Sequence, residues 1–190
     1  MPPVSEGFAI WTDFLTEAER DDFTMLTERL RSLGLFRKGL IPKHPHTGGI
    51  RIDEIGEHLF PEVYQLIAPI ADRAVFLAGS LMRQNEMVPV AAQIYHRPPW
   101  DGLDWHMDDD GCDNMHATAI IALNTVREGG EVEIMPLGGG ENVLCPQLAG
   151  RMVLVHWKTL HRVRPPQSDR YVMQINYRSI VSRGTIGGIC

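Results

Sequence analysis

The hydrophobic period of this chain changes near Val88, and that change limits the folds open to it. Before it, apolar residues recur at helical steps: Phe23, Leu26 and Leu30, then Val63, Leu66, Ile67, Ile70, Val75 and Leu77. After it come short extended stretches: 88–96, the segment through His106, 117–124, 131–135, 152–157, 161–163 and 170–177. Gly129-Gly130 and Gly138-Gly139-Gly140 provide turns between them. Helices followed by a run of strands predict an α+β chain, mainly β: a sandwich or barrel with N-terminal helices packed on one sheet. A length of 190 residues suits a single domain, 1–190, with 1–87 a mainly helical support and 88–180 the β core.

The first helix has a clear start. Thr16-Glu17-Ala18-Glu19 has the form of a capping box, and Gly34 is a natural stop. The second spans about 61–82 and contains Pro69, where a kink or break is expected. Residues 38–49 read as loop, with His44 and His46 as exposed loop histidines, and the stretch 37–51 is long enough to act as a lid.

Composition excludes several classes. A net charge of −6 argues against a nucleic-acid partner, which favours a basic stripe. No uninterrupted apolar run approaches a membrane span, so no membrane partner is expected. The N-terminus lacks a basic region followed by an apolar one, and Cys112, Cys145 and Cys190 form no CxxC pair. A reducing, cytoplasmic setting is expected. The glycine triplet lacks the Lys-Ser/Thr and helix start of a phosphate loop.

The chemistry centres on His106-Met107-Asp108. On a helix, positions two apart project about 200° from one another; on a strand they share a face, roughly 6.5 Å apart. A strand therefore lets His106 and Asp108 converge on one metal, whereas Asp109 faces away and Asp110 lies too far along. A second histidine would complete a two-His, one-carboxylate face with open positions, the ligand set of non-heme Fe(II) oxygenases. His116, His156 and His161 are the candidates, and spacing alone favours His161 over His156 only slightly. In the segment from Arg170, alternation puts Arg170, Val172, Gln174 and Asn176 on one face and Tyr171, Met173, Ile175 and Tyr177 on the other. If the apolar face packs on helices, Arg170 points inward, where it needs an anionic partner. A ligand carboxylate would serve; a surface arginine at a strand start is the simpler alternative.

Taken together, residues 90–179 resemble the Fe(II)/2-oxoglutarate-dependent dioxygenases, most closely the prolyl-hydroxylase-like branch. The resemblance rests on an ordered set: Tyr95, His106-Met107-Asp108, residues 117–124, Glu128-Gly129-Gly130-Glu131, residues 150–155, Leu160-His161-Arg162-Val163 and Arg170-Tyr171. It implies a double-stranded β-helix, or jelly roll. It assigns His106, Asp108 and His161 to Fe(II), and selects His161 because the family's basic residue follows the distal histidine by about nine positions, where Arg170 stands. It implies that Arg170 binds the distal carboxylate of 2-oxoglutarate, with Tyr95 as a helper and the inward Gln174 and Asn176 near cosubstrate or substrate. O2 is the oxidant, and hydroxylation with release of succinate and CO2 is the expected outcome. Prolyl hydroxylases usually carry Lys at the basic position, so the arginine here detaches the substrate from that branch. The expected substrate is a small molecule or amino acid, with Trp105, His116 and Arg164 as its contacts. The alternatives are a peptidyl hydroxylase, a cupin-like oxygenase without 2-oxoglutarate, and a non-catalytic binding barrel.

Overall fold

Thr16 and Glu19 satisfy each other at the start of α1 (Glu17–Ser32): Glu19 N donates to Thr16 Oγ1 at 3.2 Å and Thr16 N donates to the Glu19 carboxylate at 2.8 Å. The helix closes at Gly34, φ 65°, where Gly34 N donates to Arg31 O and Leu35 N donates to Leu30 O. That paired closure needs the left-handed backbone that glycine adopts without a Cβ clash. The computed structural model describes residues 6–38, 47–51, 61–83, 86–108 and 116–180. The second helix, α2 (Pro61–Met82), runs through Pro69 as one element. Its segment Val63–Met82 is long and apolar enough to cross a membrane by length and composition, although Asp72 and Arg73 interrupt its apolar run. In this fold Val63, Ile67, Ile70, Ala74, Ala78 and Leu81 of that segment are buried in the protein core.

The strands are β1 (Phe8–Trp11), β2 (Arg37–Lys38), β3 (Gly48–Arg51), β4 (Met87–Arg97), β5 (Leu103–His106), β6 (His116–Ala122), β7 (Val132–Ile134), β8 (Val143–Cys145), β9 (Met152–His156), β10 (His161–Val163) and β11 (Arg170–Ser179). They form a seven-stranded sheet, β1-β9-β6-β11-β4-β3-β2, and a four-stranded sheet, β5-β10-β7-β8. Their pairings are antiparallel. This is the mainly β, jelly-roll arrangement expected from the sequence.

Alternation divides the large sheet into two faces. Ala119, Ile121, Leu154, Met173, Ile175 and Tyr177 join the helices in the main core, and Tyr177 Oη donates to Ala71 O of α2 at 3.0 Å. The opposite face packs Phe8, Val153 and Val155 against Val132, Ile134 and Cys145 of the small sheet. Residues Arg170, Val172, Gln174 and Asn176 stand on that inner face, as the alternation required.

Three strands lie in the part read as helical or loop. β1 pairs with β9, a partner about 140 residues away that no local pattern reveals. Gly48 and Gly49, read as loop, belong to β3 and pair with His96 and Tyr95 of β4. A Cβ at Gly48 would lie 2.8 Å from Phe36 Cβ, so a residue poor in strand propensity is required by close approach. The short β8 was also missed. His44 and His46, in the middle of the possible lid, lie outside the described residues.

Candidate metal centre

β10 lies between β5 and β7, and its register puts His161 directly opposite His106 of β5. The ring centroids are 4.3 Å apart. Asp108 follows two positions beyond His106, with Oδ1 3.7 Å from His106 Nε2 and Oδ2 3.8 Å from His161 Nε2. The three ligand atoms lie within 4.8 Å of one another.

Both imidazoles are oriented by the backbone. His106 Nδ1 is 2.8 Å from Asp104 O, and His161 Nδ1 is 3.0 Å from Thr159 O. A carbonyl only accepts, so each Nδ1 carries a proton, and in the neutral imidazole this tautomer leaves the Nε2 lone pair on the side of Asp108. Burial, and then the neighbouring His161, lower the pKa of His106, which favours the neutral imidazole that a metal requires. Two neutral nitrogens and a carboxylate on one side of a point fit a divalent first-row metal with open positions.

Arg170 opens β11 and is 1% exposed. Its Nε donates to Gly130 O at 3.0 Å, while Nη2 is buried with no hydrogen-bond partner among the described residues. Burial, then the adjacent Arg97, push its pKa down to about 9, so it remains a cation at neutral pH. A buried guanidinium with an unused donor is a site for an anion. Gly130 leaves it room: with φ 73°, a Cβ there would lie 3.3 Å from Arg170 Cδ. Asn124 anchors the start of β11, donating to Asp169 O at 2.7 Å and accepting from Tyr171 N at 2.8 Å. It closes the 117–124 stretch read as a strand, and nothing in that pattern marked it as the support for the arginine.

The remaining expected residues divide between the faces. Tyr95 is the register partner of Val172 on the inner face, and its hydroxyl donates to Gln93 Oε1. Gln174 Nε2 donates to Asn176 Oδ1 at 3.2 Å, which also accepts from Thr118 Oγ1 at 3.3 Å. Trp105, next to His106 on the strand, points to the other face, where the Arg162 guanidinium lies 4.8 Å from its ring centroid. Arg164 Nε donates to Glu133 Oε2 at 3.0 Å, a carboxylate it shares with Arg162. Alternation and this ion pair turn both residues away from the metal ligands. His116 opens β6, and its side chain lies outside the described residues. A groove of about 750 Å³ bordered by Trp100, Leu103, Asp104, Glu131, Arg162 and Arg164 includes none of the three metal ligands.

An antiparallel jelly roll carrying two histidines and an aspartate at one end of its small sheet has the architecture of a non-heme iron oxygenase. Residues 90–178 match the family model of the 2OG-Fe(II) oxygenase superfamily, nearly the span over which the sequence motifs show the same resemblance. No curated protein matches the chain in sequence. Among solved structures, a Pseudomonas putida prolyl-4-hydroxylase is similar with a TM-score of 0.67 and 17% identity, over 92% of this chain and 94% of that one. A prolyl hydroxylase from Trichoplax adhaerens, in complex with a hypoxia-inducible-factor oxygen degradation domain peptide fragment, gives 0.71 and 19%, over 92% and 84%. The epimerase SnoN, in complex with Fe3+, alpha ketoglutarate and nogalamycin RO, gives 0.69 and 13%, over 92% and 80%. At these identities the likeness is one of fold.

Proposed function

We propose that the protein is an Fe(II)- and 2-oxoglutarate-dependent oxygenase that hydroxylates a C–H bond of a small molecule or amino acid. The observation that carries this reading is the buried Arg170, whose Nη2 has no partner among the described residues. A metal oxygenase that does not use 2-oxoglutarate has no need of a buried cation there. The cost of burying it is relieved when a carboxylate accepts its hydrogen bonds.

His106, Asp108 and His161 would hold the iron, with their Nε2 atoms directed by Asp104 O and Thr159 O. Arg170 would grip the distal carboxylate of 2-oxoglutarate and orient its 2-oxo acid end toward the metal ligands. When bound, iron and 2-oxoglutarate together supply the oxidising power, consuming O2 and releasing succinate and CO2. The protein's share is to position the reactants and keep water from the reacting centre. The β-sandwich contributes by keeping the Arg170 guanidinium in a desolvated wall, where its interaction with a carboxylate is least screened.

A peptidyl substrate is the second reading. It is favoured by the likeness to the Trichoplax adhaerens prolyl hydroxylase, which was solved with a peptide. The likeness to an epimerase shows that the fold also supports other outcomes. The test is an anaerobic titration of the protein with Fe(II) and then 2-oxoglutarate, watching for the visible charge-transfer band of the chelate. The band is expected in the wild type and absent from His161→Ala. Iron binding without the band would overturn the 2-oxoglutarate reading. A succinate-release screen with free amino acids, small acids and proline-containing peptides then separates the two substrate classes.

A further inference from the structure

Arg97 ends β4 and stands directly opposite Arg170 of β11. Residues opposite one another in an antiparallel pair share a face, with Cα atoms about 4.5–5.5 Å apart. The two side chains therefore leave the sheet side by side, and they are 3% and 1% exposed. Like charges so placed repel, and burial removes the screening that salt and water provide. Two buried guanidinium groups on adjacent strands are costly to the fold without a matching negative charge.

Arg97 is compensated in part. Among the described residues its hydrogen bonds come from Nη1, which donates to Thr47 Oγ1 at 3.0 Å and to Gly102 O at 3.2 Å and lies 3.6 Å from Asp101 Oδ2. The Thr47 hydroxyl donates to the same Asp101 carboxylate. These groups hold Arg97 in place, with Asp101 its carboxylate among the described residues. No carboxylate among the described residues forms an ion pair with Arg170, whose Nη2 is the donor without a hydrogen-bond partner there. After burial, the adjacent charge of Arg97 is what lowers the pKa of Arg170. Arg97 thus stands beside the cation that would meet the distal carboxylate of a 2-oxo acid.

We propose that Arg97 is a positioning residue for the cosubstrate: paired with Arg170, it makes the pocket select 2-oxo acids that carry a distal carboxylate. This rests on the 2-oxoglutarate reading above and goes beyond it, since the motifs that single out Arg170 do not include Arg97.

The test compares two ligands with the same chelating end, 2-oxoglutarate and 2-oxovalerate, which lacks the distal carboxylate. Each is titrated anaerobically into the Fe(II)-loaded protein, and the band gives a Kd. Wild type is expected to prefer 2-oxoglutarate. Arg97→Gln is expected to lower that preference on the order of tenfold while leaving the Kd of 2-oxovalerate nearly unchanged, and Arg97→Lys, which keeps the charge, to retain most of it. A merely structural arginine would weaken both acids equally. The second arm uses Arg170→Met, which removes the unpaired charge: a preference of several-fold for 2-oxoglutarate is expected to persist there and to vanish when Arg97→Gln is added. Equal weakening of both acids in Arg97→Gln, or no preference left in Arg170→Met alone, overturns the proposal. A wild type that shows no band with either acid refutes the cosubstrate reading itself.

Discussion

His106 and His161 occupy one register position of the β5–β10 pair, so the spacing of the two metal-facing nitrogens is set by strand pairing. A slip of one residue in β10 would turn His161 away and bring a neighbouring side chain to the inner face. The bulge between His161 and Val163 lies just beyond this pair, and the two rings keep their 4.3 Å contact.

Loss of either imidazole should abolish the metal site without unfolding the chain. His161→Ala, loaded anaerobically with Fe(II) and desalted, is expected to retain far less than one iron per chain where wild type retains about one. Far-ultraviolet circular dichroism should be unchanged. Full iron retention in His161→Ala would refute the ligand assignment.

Arg170 has opposite consequences for binding and for folding. Arg170→Met should weaken 2-oxoglutarate by roughly 10- to 150-fold, the equivalent of about 1.5–3 kcal/mol for a hydrogen bond to a charged group. The cosubstrate-free protein should be no less stable than wild type, because the variant removes a buried charge with an unsatisfied donor. Thermal melts with and without 2-oxoglutarate check both. A large destabilisation of the cosubstrate-free variant would mean that Arg170 is held by the fold and not by a ligand.

Gly130→Ala combines two penalties. The backbone there has φ 73°, and the new Cβ would lie 3.3 Å from Arg170 Cδ. A left-handed alanine costs roughly 1–2 kcal/mol. Lower melting temperature and weaker 2-oxoglutarate binding are expected, with iron binding unaffected. An unchanged Kd for 2-oxoglutarate would show that Arg170 does not depend on this cradle.

Glu133 makes the outer face of the small sheet sensitive to acid. Burial pushes its carboxyl up, but hydrogen bonds from Asn142, Arg162 and Arg164 outweigh this and hold it at about 2. Its pKa is therefore below the unfolded value near 4.5, and its contribution to stability is present above that value. The contribution declines as pH falls toward about 2. Urea midpoints measured across this range should fall more steeply for wild type than for Glu133→Gln. Parallel slopes would remove Glu133 as the cause.

Much of the site was legible because strands translate sequence spacing directly into direction. Alternation from Arg170 to Tyr177 separated the helix-facing side chains from the inward ones, whereas Asp108, expected on the strand of His106, lies past the end of β5 and still comes within 3.7 Å of His106 Nε2. The same alternation, applied to Trp105, places it opposite His106, away from the metal. Arg164 was harder, because its partner Glu133 belongs to another strand and only β7–β10 pairing brings them together. β1 was unreadable for a similar reason: four residues, Phe8–Trp11, acquire strand character from β9.

The sequence by itself determined the helix start at Thr16, its stop at Gly34, the order of helices before strands, and the residue types available for metal and carboxylate. These depend on local chemistry: a hydroxyl that caps, a glycine that turns left, a period of two or of 3.6. Only the tertiary structure decided that His161 faces His106, that Gly130 gives Arg170 its space, and that Arg97 stands beside Arg170 with Asp101 as partial compensation. Those relations depend on register between strands far apart in the chain. No local pattern encodes such a register; it is selected by which sheet faces can bury their apolar side chains together.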